Sequence, residues 1–129
     1  MTQMWFAKAE DDLRVARALL NFESKHFEAA VFHCQQTAEK AIKGYLTHHK
    51  VRFSKTHDIE KLLEVVATID KSLSAKFKKA AILTKYAVSY RYPEEIDLPE
   101  PLSKKTSEEA FELAKDIFDN FKSILPMKL

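Results

Sequence analysis

Glycine is almost missing from this chain: a single one, Gly44, among 129 residues, beside one cysteine, one tryptophan and four prolines. With Gly44 inside an otherwise helical stretch, no glycine-rich loop exists to cradle a phosphate. One cysteine, Cys34, cannot close an internal disulfide, which fits a reducing cytoplasm. No apolar run approaches the ~18 residues of a membrane span, and the opening MTQMWFAKAEDDL lacks a signal peptide's charged-then-apolar layout. A cytoplasmic location is therefore expected. Net charge is only +2, so no overall basic character points to nucleic acid, and any such binding needs a local patch.

What the chain has in quantity is apolar residues (46%) and charge (31%), the balance of a soluble globular protein. Apolar spacing follows the helical repeat, and no stretch alternates as a strand does. A first helix is expected over Thr2–Asn21, with Trp5, Ala9, Leu13, Ala16 and Leu20 inward and Glu10, Asp11 and Asp12 in solvent. A second runs from Lys25 to His49, its core stripe being Phe27, Ala30, Cys34, Ala38, Ala41 and Tyr45. Asp58 offers an N-cap to a third over Ile59–Thr68. A fourth spans Ser72–Ser89, with Leu73, Phe77, Ala80 or Ala81, Thr84 and Val88 inward, closed by Pro93. After the proline-rich loop YPEEIDLPEPL, Thr106 and Glu109 have capping-box spacing. The last helix reaches Ile124 through Phe111, Ala114, Ile117, Phe118 and Phe121. The expected fold is all-α, an up-and-down antiparallel bundle of about five helices, in one domain over residues 1–129.

Two stretches carry chemistry beyond packing. In AAVFHCQQTAEKAIKGYL, the positions of His33, Gln36, Lys40 and Lys43 form a polar stripe away from the core stripe, at about 100° per residue. Read plainly, it is a solvated face, or a histidine satisfied at a helix contact. Read chemically, it is a set of donors for anionic oxygens, or a surface for a second copy. In KYAVSYRYP, the rings of Tyr86, Tyr90 and Tyr92 with Arg91 suit stacking on a base and pairing with a phosphate. Tyrosines at a helix end also serve simply to fill a core edge.

These pieces together resemble the HEPN domain family. They are WFAKAEDDLRVARALL at the start, FEAAVFHCQQTAEKAIKGYL in helix two, THDIEKLLEV at helix three and YAVSYRYP before the proline loop. Four pieces in order span residues 5 to about 95. The similarity is to small stand-alone prokaryotic members, commonly encoded beside a minimal nucleotidyltransferase. The resemblance implies a five-helix bundle, a homodimer, a cleft for nucleotide or RNA, and a place in a toxin–antitoxin-like pair. Many members are metal-independent ribonucleases whose signature is an Arg, four to six residues, then a His near the end of helix four.

This sequence departs from that signature. Arg91 stands about where the Arg belongs, but YPEEIDL follows it without a His. Arg52 and His57, in RFSKTH, satisfy the spacing before helix three, in the wrong part of the fold; there Thr56, His57 and Asp58 more simply organise the helix start. The expected ligand surface is His33, Gln36 and Lys40 with Tyr90, Arg91 and Tyr92, in a nucleotide- or RNA-binding module. The alternatives are a ribonuclease in which Arg91 works with another base, His33 being the candidate, and a purely structural dimer face on helix two. No cofactor or metal is expected. His48 and His49 point to different sides, Glu23 and His26 lack a second such pair, and Cys34 reads as a buried inert thiol.

Overall fold

The computed structural model of the chain describes residues 1–21, 26–92 and 102–125. These form six α-helices: α1 (Thr2–Leu20), α2 (Phe27–His48), α3 (Ile59–Ala67), α4 (Lys71–Lys76), α5 (Ala81–Arg91) and α6 (Lys104–Ile124), with a 3-10 turn at Lys78–Ala80. The proline loop with Pro93, and Glu23, lie outside the described residues.

α2 is the axis of the bundle, packing on α1, α3, α5 and α6. Its small residues Ala30, Ala38 and Ala41 are fully buried, which lets neighbouring backbones approach closely. Gly44 marks the tightest approach: a Cβ there would stand 2.8 Å from the Phe6 ring. Phe6 of α1 therefore faces the end of α2, and those helices run antiparallel. Phe6 also meets Phe118, and Tyr45 meets Phe121, edge to face, so α6 closes the core against both. Tyr90 at the end of α5 lies against Phe32 near the start of α2.

α2 stops by backbone geometry. Lys50 takes a left-handed conformation (φ 57°), its N–H bonds the Thr47 carbonyl and the Val51 N–H reaches the Leu46 carbonyl. This is the Schellman arrangement, with lysine where glycine is usual. Asp58 caps α3 as expected, accepting from the Glu60 N–H, and Thr56 accepts from the Asp58 N–H.

Three expectations are corrected. The single fourth helix is two, α4 and α5, joined through the 3-10 turn. Because that turn winds three residues per turn rather than 3.6, the inward stripe slips by one position. Leu73, Phe77 and Ala80 are followed by Leu83 and Ala87, not by Thr84 and Val88. In α1 the most deeply buried aromatic is Phe6, with Trp5 only partly covered, and Asp12 is buried instead of solvated. The α6 capping box is Ser103 with Thr106, one turn before the expected Thr106–Glu109 pair.

Candidate functional site

Asp12 explains the polar stripe of α2. Its position continues the buried α1 spacing of Ala9 and Ala16, so its carboxylate is carried against α2. There Oδ1 lies 2.8 Å from His33 Nδ1 and Oδ2 accepts from Lys40 Nζ at 2.6 Å. A carboxylate oxygen accepts, so Nδ1 is the donor of this contact and Nε2 takes no part in it. The His33 side chain keeps 29% of its surface exposed and that of Lys40 22%, so both remain reachable from solvent.

A second network runs deeper. Glu39, with only 4% of its side chain exposed, binds Lys43 Nζ at 2.9 Å, His57 Nδ1 at 3.0 Å and Gln35 Nε2 at 3.1 Å. The Gln35 amide also donates to the His57 backbone carbonyl at 2.8 Å, and Gln36 donates to Gln35 Oε1 at 2.7 Å. Lys43 lies 5.6 Å from the Trp5 ring centroid and 5.9 Å from that of Phe53, where its charge meets two π faces. This network staples the segment before α3 onto α2. Lys43 thus belongs here and not with His33, while the exposed Arg52 makes no contact that would join it to His57.

The tyrosine–arginine end meets the His33 region through Phe32. The Tyr90 ring lies 5.1 Å from Phe32, tilted by 32°, and the Arg91 guanidinium carbon sits 4.8 Å above the same ring. Phe32 also meets the His33 imidazole edge to face, 5.4 Å between centroids. Arg91 takes part in no ion pair among the described residues, so its donors stay available while its plane is held. Tyr90 and Tyr92 are 43% and 56% exposed. His33, Tyr90 and Arg91 are thus gathered round one ring, and Lys40 joins them through Asp12. Gln36 is set by Gln35 on the same helix. Tyr92 follows as the C-cap residue of α5.

Sequence reasoning missed Asp12, Glu39, Gln35 and Phe32. An acid three residues after Ala9 and four before Ala16 was the visible signal for Asp12. For Glu39 it was the i, i+4 spacing to Lys43. Among the described residues no cluster of His, Cys, Asp and Glu is arranged to hold a metal ion. Cys34 is fully buried, and burial pushes its thiol up to about 12, so thiolate chemistry is closed to it. A cleft of about 820 Å³ opens elsewhere, between the end of α1 and the start of α6, lined among others by Arg17, Lys104, Glu108, Phe111 and Asp116. Charges of both signs alternate there and none of the groups above reaches it. No helix among the described residues is long and apolar enough to cross a membrane.

Comparison with known proteins bears on the family and the fold. A protein of Methanocaldococcus jannaschii named "Putative toxin MJ1304" is 32% identical over 123 residues, covering 88% of this chain and 79% of that protein. The crystal structure of TT1696 from Thermus thermophilus superposes with a TM-score of 0.78 at 27% identity, covering 96% of this chain and 98% of that one. ST0689, described as an archaeal HEPN homologue, superposes at 0.74 with 28% identity, covering 95% and 96%. The family described as the HEPN domain matches residues 2–124, and the chain belongs to that family.

Proposed function

We propose that this chain is a toxin-type HEPN protein that binds nucleotide or RNA. The surface is His33, Gln36 and Lys40 of α2 together with Tyr90, Arg91 and Tyr92 at the end of α5. It acts in the cytoplasm, as a homodimer, with a minimal nucleotidyltransferase as protein partner. The observation that carries the reading is the stacking of Tyr90 and Arg91 on Phe32, beside a histidine held by Asp12. Exposed tyrosines offer faces to a base, and a planar guanidinium with no ion pair among the described residues offers paired donors to a phosphate. The similarity to a protein named as a toxin supports the biological setting. Met4 and Val15, exposed on one face of α1, support pairing of two copies.

Calorimetric titration with nucleoside monophosphates and a mixed-sequence RNA tests the reading. Binding that weakens about tenfold in Arg91→Ala, the loss of one charge-assisted contact, supports it. Absence of binding by any of these ligands sinks it.

A second reading has its own observation. The Asp12–His33 contact engages Nδ1 and not Nε2, as an acid that orients a general base does. In that reading Nε2 takes the 2′-hydroxyl proton, the oxygen attacks the adjacent phosphorus, and the bond to the 5′-oxygen breaks. Arg91 steadies the charge of the phosphorane. Labelled RNA in EDTA discriminates: cleavage lost in both His33→Ala and Arg91→Ala establishes a ribonuclease, and intact RNA with wild-type protein leaves a binding module.

A further inference from the structure

The near-neutral net charge hides a strong internal asymmetry. Residues 50–91 hold ten Lys and Arg against four Asp and Glu, whereas the rest of the chain holds eleven against fifteen. Every lysine or arginine ion pair among the described residues lies on α1, α2 or α6, and none involves a base of residues 50–91. Among the described residues, then, no ion pair takes up this excess. It is also ordered. Lys78 and Lys79 of the 3-10 turn and Lys85 of α5 are exposed, on the side away from the buried Leu83 and Ala87. Lys85 shares one α5 stripe with Ser89 and Tyr92, at i, i+4 and i+7. From Lys78 to Tyr92 the distance is about 20 Å at the helical rise, and its far end is the Tyr90–Arg91 cluster on Phe32. Glu60 and Glu64 line the groove beside Lys78, and neither Lys79 nor Lys85 lines that groove.

We propose that the outer face of the 3-10 turn and α5, through Lys78, Lys79 and Lys85, holds the sugar–phosphate backbone of a single-stranded nucleic acid whose end reaches Tyr90, Arg91 and Tyr92. This rests on the nucleotide-binding reading of that cluster and extends it, making the ligand a strand rather than a mononucleotide. Ammonium groups that take part in no ion pair among the described residues suit repeated phosphates. Lysine, a flexible point charge, suits a backbone read without sequence preference.

The test compares uridine monophosphate with labelled oligouridylates of increasing length, over a salt series, on wild-type protein and on the triple variant Lys78→Gln, Lys79→Gln, Lys85→Gln. All three side chains are exposed, so the variant keeps its core. Wild-type affinity should rise with length up to about four nucleotides or more. In the variant the slope of log affinity against log salt should shrink by about 2, at ~0.7 per lost phosphate contact, while monophosphate binding is kept. An unchanged slope with monophosphate binding intact overturns the lysine track and leaves the Tyr90–Arg91 site standing. Loss of binding to every ligand by the wild-type protein overturns the site and the track together. A variant that binds RNA as before but sediments differently shows that the lysines face another protein surface, and also overturns the proposal.

Discussion

Asp12 Oδ1 of α1 stands 2.8 Å from His33 Nδ1 of α2, and the other oxygen of the same carboxylate holds Lys40 two turns further along. One acid thus fixes the register of two helices and the tautomer of the histidine. Replacing it by an amide keeps the shape but forces an NH2 group against one of two donors. Asp12→Asn should cost about 1–3 kcal/mol, below the figure for a sealed pair because His33 and Lys40 retain solvent contact. Urea denaturation measures this. In a Lys40→Met background the same change should cost less, since one of the two donors is gone.

Glu39 is a sharper case, since Lys43 keeps only 8% of its side-chain surface exposed. Glu39→Gln leaves that ammonium without a counter-charge, and a loss of about 3–5 kcal/mol is expected. The double change Glu39→Leu with Lys43→Met removes both charges together and should recover part of it. If the double variant is no more stable than Glu39→Gln, the ion pair is not what holds the segment before α3 in place.

The helices were legible because burial repeats along the chain: the α6 residues Phe111, Ala114, Ile117, Phe118 and Phe121 are all buried as their spacing requires. The slip after Phe77 was not, because a 3-10 turn of lysines and alanine leaves no mark in composition. The α6 cap was misplaced because Ser103 and Thr106 form the reciprocal pair without the Glu or Gln that the usual pattern requires. At the site, Arg91 and the tyrosines stood out by type. Asp12 did not, since the value of a buried acid depends on which residues of another helix face it. Phe32 had no signal of its own in the sequence, yet it is the platform that joins the two polar clusters.

Gly44 tests the tightness of the α1–α2 contact. An added methyl group meets the Phe6 ring at 2.8 and 2.9 Å and Trp5 Cβ at 3.0 Å. Phe6 also packs on Phe118, so it cannot withdraw freely. Although alanine is the better helix former by about 1 kcal/mol, the overpacking penalty of about 1–3 kcal/mol is larger. Gly44→Ala should therefore lower the melting temperature, and an increase would mean that α1 shifts outward at little cost.

Lys50 points the other way. It holds φ 57° in the Schellman turn after α2, a conformation that costs a residue with a Cβ roughly 1–2 kcal/mol. Lys50→Gly relieves this but adds freedom to the unfolded chain, worth roughly 0.4–1 kcal/mol in the opposite sense. The balance is a gain of up to about 1 kcal/mol, read as a higher urea midpoint at unchanged slope. Destabilisation would show that the lysine side chain contributes more than its backbone costs.

Asp70 gives the pH dependence. Its Oδ1 accepts from the Leu73 N–H at 3.1 Å and from Ser72 Oγ at 2.9 Å. Those contacts, the Leu73 backbone bond first and the Ser72 hydroxyl second, hold its carboxyl below the ordinary 3.8. A carboxylate with a lowered folded value stabilises the fold above its unfolded value, and that contribution disappears as pH falls through the folded one. Asp70→Asn keeps an acceptor oxygen for the cap but carries no charge to titrate. The wild-type advantage over Asp70→Asn should hold from neutral pH down to about 4 and then vanish below 3.8. Exchange of the Leu73 amide reads this locally, because α4 has only six residues and depends on its cap. Tyr45 supplies a second readout. Burial raises its phenol first and the Asp70 charge second, so in Asp70→Asn that phenol should ionise at lower pH than in wild type while remaining above its ordinary 10.0. An advantage that persists undiminished into strong acid would assign the cap to hydrogen-bond geometry alone.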